Sequence, residues 1–290
     1  MPMSPRLLRP RQTIHPESAD WANRVRTNGG SVSGTTLSAV DRFVKAIHAA
    51  GIRDRFYRVN LFCGDSDASL NAVRTPLFRG PSLTGTQYGG TTDTNFNFVQ
   101  GDYAETGASG GLTGNGSSKY LNTGLPINFT GTRSYHLAAL PFAVTSGNGC
   151  FVGADTNLDG NPPRIYQSLR TFAATSRVWV WYNWTDATNR QADVASNSIT
   201  GLLLLGTGDG SGNTLYSGGS ALVTTAATEN RTATQTFPHF VFAENRRNQI
   251  VAEYLNGRLG LYSAGLAMTA SQVASYNAAV VAFNTAMGRT

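Results

Sequence analysis

Two stretches of the chain carry side chains that could hold a ligand, and the first is rich in oxygen atoms. Asp155, Asn157 and Asp159 alternate along it, and Gly160 follows them. Alternating oxygen ligands before a glycine form the first half of a calcium-binding loop, because they converge on a hard cation. Tyr166 stands where such a loop needs a bidentate carboxylate. The stretch therefore predicts either a structural or lectin-type calcium site or a polar β-hairpin turn, which uses the same residue types.

The second stretch is a cluster of large aromatic side chains. In a strand, Trp179 and Trp181 share one face, while Tyr182 and Trp184 share the other. Sandwich cores commonly bury tryptophan, so these residues are expected to be core and subunit contact. The alternative is that Tyr182 and Trp184 bind a glycan, because aromatic rings stack on the apolar surfaces of pyranose sugars.

No other group of residues has the spacing of an active site. Ser109 lies in a Gly-x-Ser-x-Gly pattern, but its glycine-rich surroundings lack the buried strand and following helix of a nucleophile elbow. Nothing in the sequence places Glu244 and Glu253 across a cleft, as glycoside hydrolysis requires. Metal-ligand spacing is also missing among the four scattered histidines, His15, His48, His136 and His239. We therefore predict that the chain is not an enzyme.

Composition favours a β-rich protein that carries a basic N-terminal arm. Of the 290 residues only 14% are charged and 32 are glycine, which suits many strands joined by tight turns. The net charge of +6 is concentrated near the N-terminus, where Arg6, Arg9 and Arg11 lie in an aperiodic arm over residues 1–16. Such an arm could contact nucleic-acid phosphates. Because its charge is sparse and no aromatic residues alternate with it, we expect it to dock on carboxylates of a neighbouring protein.

The cysteines and the hydropathy of the sequence indicate the thiol state of the protein and whether it contacts a membrane. Cys63 and Cys150 lie far apart in unlike contexts, which favours two free, partly buried thiols over the alternative of one disulfide. The first residues have no apolar core of the kind a secretory signal needs. The longest apolar run, Leu202 to Leu205, is too short to cross a membrane, so we expect no membrane partner.

Periodicity separates a helical segment, residues 17–80, from the rest of the chain. Apolar residues at helical spacing predict a short helix over 18–26 and a longer one that begins near Thr35 or Thr36. An extended segment over 57–62 comes next. We expect residues 17–80 to form a small anchoring subdomain.

From about residue 81 the period changes to two, which predicts a sandwich or jelly roll over 81–290. Its last element is a helix over 269–287. Thr269 and Gln272 form a Thr-x-x-Gln capping box at its start. The expected fold is mainly β, with helices at both ends.

Two motifs carry a resemblance to a known fold family. Gly111-Leu-Thr-Gly-Asn-Gly-Ser-Ser-Lys-Tyr, followed by a strand with Tyr135-His136, resembles the entry into a concanavalin A-like, laminin-G-like jelly roll. Gly257-Arg-Leu-Gly-Leu-Tyr-Ser-Ala-Gly-Leu and the final helix resemble its closing elements. With the preceding helical segment Val40-Asp-Arg-Phe-Val-Lys-Ala-Ile, the arrangement is similar to structural proteins of tailed phages. The resemblance covers roughly residues 35–289.

The resemblance implies a non-enzymatic virion protein, either a head decoration or fibre component or a tail or tail-fibre component. Such a protein would be assembled in the host cytoplasm and form a homo-oligomer. Its arm and helices would contact capsid or tail proteins, and its sandwich would project outward. The alternative is a lectin-like adhesion module that contacts host surface polysaccharide, since this fold serves several functions.

Overall fold

Two β-sheets packed face to face form the body of the protein in a computed structural model. The structure describes residues 13–66, 69–126, 134–145, 148–155, 166–172, 177–182, 191–195, 200–209, 212–226, 237–246 and 250–289. Its strands are β1 (Phe56–Asn60), β2 (Thr94–Phe96), β3 (Tyr103–Ala104), β4 (Gly111–Thr113), β5 (Tyr120–Pro126), β6 (Tyr135–Val144), β7 (Gly149–Asp155), β8 (Tyr166–Phe172), β9 (Arg177–Tyr182), β10 (Gln191–Ala195), β11 (Leu204–Gly208), β12 (Gly212–Ser217), β13 (Ser220–Ala226), β14 (Pro238–Val241), β15 (Glu244–Arg246), β16 (Ile250–Ala252) and β17 (Gly257–Gly265).

The strands of the described ranges divide between an eight-stranded sheet A and a nine-stranded sheet B. Sheet A has the order β13-β12-β11-β6-β17-β4-β3, and β1 pairs with β17. Sheet B has the order β10-β9-β8-β7-β14-β5-β2, and the β15–β16 hairpin joins it along β7. In both sheets, neighbouring strands are mostly antiparallel and often far apart in the sequence, as in a jelly roll. The predicted mainly β jelly-roll sandwich is confirmed.

Four α-helices accompany the sheets within the described residues: α1 (Pro16–Thr27), α2 (Gly34–Ala49), α3 (Leu70–Val73) and α4 (Ala270–Ala286). The predicted capping box is present, since the Thr269 hydroxyl accepts from the Gln272 N–H and the Gln272 side chain accepts from the Thr269 N–H. The predicted apolar face of α4 is buried along its length, at Val273, Tyr276, Val280, Phe283 and Met287. None of the helices in the described part of the chain is long and apolar enough to cross a membrane.

Sheet A takes part in two hydrophobic cores, because successive residues of a strand point to opposite faces. In β6, Leu137 and Ala139 belong to the core between the sheets. Ala138 and Leu140 belong to a second core, beneath the helices. The helices therefore cover the outer face of sheet A, and the described residues of the second core come from the helices, sheet A and connecting segments.

A buried polar network ties sheet A to the chain segment that enters β2. The Arg58 guanidinium lies 2.7 Å from an Asp93 carboxylate oxygen, and both side chains are fully buried. Tyr262 donates to the same carboxylate at 2.8 Å, and the Asn60 amide donates at 2.9 Å. Burial alone would lower the pKa of Arg58, but the charge interactions and hydrogen bonds with Asp93 and Tyr262 together outweigh it, and the pKa is raised. Asp93 directly precedes Thr94, so the network fixes where β2 begins.

Local details of the first eighty residues differ from the sequence prediction. Ser33, not Thr35 or Thr36, caps α2, because its hydroxyl accepts from the Thr36 N–H at 3.0 Å. The Thr36 hydroxyl donates instead to Glu105. The extended segment is the strand β1, which belongs to sheet A. Whether residues 17–80 act as a separate subdomain stays a prediction.

Candidate functional site

A row of aromatic side chains lies on sheet B, and we call Phe96, Tyr120 and Phe240 the aromatic row. The rings of Phe96 and Tyr120 are stacked, with centroids 4.2 Å apart and planes 5° apart. Phe240 continues the row, since its ring centroid lies 4.8 Å from that of Tyr120. Tyr254 meets Tyr120 edge-on at 6.2 Å. Four segments of the chain thus contribute to one aromatic surface.

Strand alternation shows that the aromatic row faces away from the sandwich. Leu121 and Val241 are paired in register and lie in the core between the sheets. By strand alternation their neighbours Tyr120 and Phe240 point to the opposite, outer face, and Tyr120 also packs against part of that core. Phe96 is paired in register with Tyr120, so it lies on the same face.

The row is partly open to solvent. Phe96, Tyr120 and Tyr254 are half-buried, whereas Phe240 is only 6% exposed. Partial burial raises the pKa of Tyr120, with a smaller contribution from Tyr254. The phenol of Tyr120 is therefore neutral at physiological pH and can donate or accept a hydrogen bond.

Next to this row, two arginines and two glutamates form a connected set of ion pairs, which we call the ion-pair square. Arg246 contacts Glu244 at 2.6 Å and Glu253 at 2.9 Å. Arg170 contacts the same two carboxylates, at 3.7 Å and 3.1 Å. Arg170 follows the core residue Leu169, so it lies on the outer face of sheet B.

Accessibility differs across the ion-pair square. The side chains of Arg170 and Glu244 are buried, at 4% and 0% exposure. Those of Arg246 and Glu253 are 34% and 17% exposed. The buried pair therefore supports the more exposed pair, which is the part of the set that solvent reaches.

The sequence prediction dismissed Glu244 and Glu253 as a site because nothing placed them together. The β15–β16 hairpin does so: Glu244 is paired in register with Ala252, which directly precedes Glu253. A hairpin signal around residues 247–249 would have been needed to find this from sequence, and its residues, Arg247-Asn248-Gln249, lack the glycine of a common two-residue turn.

Backbone conformations of high energy accumulate around this surface. Four non-glycine residues have positive φ among those described, and three flank the site: Asn97 (65°), Phe242 (67°) and Glu253 (51°). Such conformations cost about 1–3 kcal/mol each and persist where the surrounding structure imposes them, commonly at functional sites. Asn97 follows Phe96, and Glu253 joins the ion-pair square to Tyr254.

The predicted aromatic ligands lie on or beyond β9. The backbone register pairs Trp179 with Arg170 and Trp181 with Ser168, and it pairs Tyr182 with Gln167. Trp184 lies outside the described residues. A glycan contact by Tyr182 and Trp184 stays a prediction.

The other predicted binding residues lie at the limit of the described structure. Asp155 is the last residue of β7 and is fully buried, whereas Asn157 and Asp159 fall outside the described residues. The calcium site therefore stays a prediction. Arg6, Arg9 and Arg11 also fall outside the described residues.

Both cysteines are free, as predicted, and fully rather than partly buried. Burial raises the pKa of the Cys63 and Cys150 thiols far above the usual range. They are therefore poor nucleophiles. The prediction that the chain is not an enzyme stays a prediction.

Two of the histidines that the sequence prediction treated as scattered come together between α1 and α2. The His15 and His48 ring centroids are 4.4 Å apart, and these residues form a potential metal-ligand group with Glu17. The Glu17 carboxylate already contacts Arg53 and His48, at 2.8 Å and 2.6 Å. His15 Nδ1 accepts the Glu17 N–H at the start of α1. The group thus serves to hold α1 against α2.

Comparison with known proteins finds similarity only among solved structures. No protein-family profile matches the chain, and no curated protein matches it. The NanB sialidase of Streptococcus pneumoniae matches at 13% identity and a TM-score of 0.40, over 49% of this chain and 23% of that one. The CBM40 of the Ruminococcus gnavus IT-sialidase matches at 11% identity and a TM-score of 0.41, over 57% and 93%. A heptameric SAP-like pentraxin from Limulus polyphemus matches at 14% identity and a TM-score of 0.38, over 52% and 70%.

The chain thus spans about a quarter of the length of the sialidase that it matches. Similarity at this level assigns no function to the chain. The class of protein that the fold defines is a jelly-roll sandwich with one helix-covered sheet, and its candidate site is the outer face of the other sheet.

Proposed function

We propose that this protein is a glycan-binding module whose ligand lies on the outer face of sheet B. The observation that carries the proposal is the aromatic row, in which Phe96 and Tyr120 are partly exposed and the buried Phe240 packs against Tyr120. Clustered aromatic side chains on a protein surface commonly mark a place that a ligand or partner covers. Pyranose sugars suit such a surface because they combine apolar C–H patches with hydroxyl groups.

Polar groups next to the row suit the hydroxyl groups of a sugar. Arg246 and Glu253 are the accessible members of the ion-pair square and offer donors and acceptors respectively. Both are held in place by Arg170 and Glu244, so little side-chain entropy is lost when a ligand binds. An apolar surface with a few fixed polar groups is the usual composition of a ligand site.

The two sheets are not equivalent as ligand surfaces. Helices α2 and α4 cover the outer face of sheet A, where Phe43 meets Tyr276 and Phe283 with ring centroids 6.3 Å and 6.1 Å apart. The outer face of sheet B instead carries the aromatic row and the ion-pair square. We therefore assign the ligand to sheet B.

Binding to polysaccharide arrays tests the proposal. Phe96→Ala and Tyr120→Ala should each weaken binding about tenfold, because each removes about 1.4 kcal/mol of contact with the ligand. Tyr88→Ala is the matched control: Tyr88 is also half-buried and also contacts another tyrosine, Tyr57, at 5.4 Å between centroids. It should leave affinity unchanged.

Two results would overturn the assignment. One is a folded wild-type protein that binds no polysaccharide on the array. The other is equal loss of binding in Tyr88→Ala and Phe96→Ala, since that would report lost stability rather than a lost contact. Phe96 lies on the edge strand β2, so its removal perturbs the fold least.

The resemblance to structural proteins of tailed phages supports a narrower proposal. In that setting the module would be a head or tail component, with the arm over residues 1–16 docked on another virion protein and sheet B turned outward. Copies would assemble as a homo-oligomer, which multiplies weak glycan contacts. Mass spectrometry of purified virions would detect the chain if this is right, and deletion of residues 1–16 would abolish its incorporation.

A further inference from the structure

We infer that the site on sheet B selects uncharged glycans over sialylated or uronate-rich ones. This inference rests on the proposed function and adds the chemical class of the ligand. It follows from how the arginines beside the aromatic row are neutralised.

The ion-pair square has no net charge. It contains two guanidinium groups and two carboxylates, and each carboxylate contacts both arginines. Arg246, the more exposed arginine, is held by Glu244 at 2.6 Å and by Glu253 at 2.9 Å. A ligand carboxylate would have to displace one of these contacts to reach the guanidinium.

Glu253 adds direct repulsion to this competition. Its side chain is 17% exposed, so it lies within reach of a ligand that contacts Arg246. A carboxylate brought to that point would meet Glu253 at short range, where like charges disfavour binding. A sugar hydroxyl carries no charge, and it can donate to Glu253 or accept from Arg246.

At the other end of the aromatic row, a lysine is likewise neutralised by an ion pair with a carboxylate of the protein. Lys119 directly precedes Tyr120, and its ammonium group is ion-paired with the Asp102 carboxylate. Both side chains are mostly buried, at 18% and 14% exposure. The described cations around the aromatic row are thus each paired with a carboxylate of the protein.

Glu253→Gln is the change that tests this inference. It keeps the shape of the side chain and removes one of the two glutamate carboxylates that contact Arg246. We expect it to raise affinity for polysialic acid and polygalacturonate about tenfold. Affinity for uncharged dextran, galactan or mannan should not rise, because a sugar hydroxyl that donates to Glu253 loses a charged acceptor. Asp20→Asn is the matched control, because it removes the carboxylate that pairs with Arg24 in α1, away from sheet B.

Binding of wild type and both variants is measured on these polysaccharides between about 50 and 500 mM sodium chloride. Binding of wild type to an uncharged polysaccharide, with little dependence on salt, supports the inference. Tighter binding of wild type to the charged polysaccharides would overturn it, as would a Glu253→Gln variant with unchanged selectivity. Lack of wild-type binding to both classes would overturn the proposed function itself, and the selectivity with it.

Discussion

His136 should make the stability of the fold depend on pH just below neutrality. Its ring is fully buried between β6, β17 and the start of α4. Nδ1–H donates to the Leu266 carbonyl at 2.8 Å, and Nε2 accepts from the Ser263 hydroxyl at 3.1 Å. The Tyr276 hydroxyl in turn donates to Ser263. This arrangement needs the neutral imidazole, because a proton on Nε2 would remove the acceptor.

Burial lowers the pKa of His136 from 6.5 to about 4. The unfolded chain therefore binds a proton first as the pH falls. Stability is complete above about pH 6.5 and is lost progressively towards about pH 4. A pKa shift of this size contributes about 3 kcal/mol to the free energy of unfolding, since each pKa unit corresponds to about 1.4 kcal/mol. Burial also lowers the pKa of His239 to about 4, so His239 should contribute to stability in the same way.

Urea unfolding measured between about pH 7 and pH 5 gives the slope of stability against pH. This range lies above the region where carboxylates such as Glu17 titrate, whose pKa is lowered from 4.5. The contribution of His136 and His239 to this slope should grow as the pH falls and approach two protons, or about 3 kcal/mol per pH unit, near about pH 5. His136→Gln should reduce the slope by one proton, and His239→Gln should do the same. A slope that His136→Gln leaves unchanged would refute the reasoning, whatever the absolute stability of the variant.

Three further changes have defined outcomes. Asp93→Asn should lower the free energy of unfolding by about 3–5 kcal/mol, because it leaves the buried Arg58 without its counter-ion. Urea titrations measure this loss. A loss below about 1 kcal/mol would contradict the prediction. Thr269→Ala should cost about 1 kcal/mol by removing the cap of α4, whereas no change would mean that the cap is not stabilising. Cys63 and Cys150 should resist thiol reagents until the chain unfolds, and rapid labelling of the native protein would contradict their burial.

Local features of this fold could be predicted from the sequence because short segments determine them. The apolar spacing and the Thr269–Gln272 box define α4 within one stretch of chain, and the structure has them as predicted. The cap of α2 was misplaced because neighbouring hydroxyl side chains compete for it. Only the packing decides among them, since it directs the Thr36 hydroxyl to Glu105.

The candidate site could not be predicted in the same way because its parts meet through long-range pairing. Phe96 and Tyr120 come together where β2 pairs with β5, and Phe240 is added by β14. Nothing local to these residues tells an outward aromatic side chain from an inward one. Phe98, two residues after Phe96, is buried between the sheets. The tryptophan-rich strand drew attention in the sequence because its aromatic residues are close together along the chain, which the residues of the aromatic row are not.

Aromatic NMR spectra recorded during titration with a polysaccharide that the protein binds test the central claim most directly. Resonances of Phe96, Tyr120 and Phe240 should shift with a common dissociation constant, while those of Tyr57 and Tyr88 stay in place. Binding that shifts Tyr57 and Tyr88 but leaves the aromatic row unchanged would contradict the assignment of the ligand to sheet B.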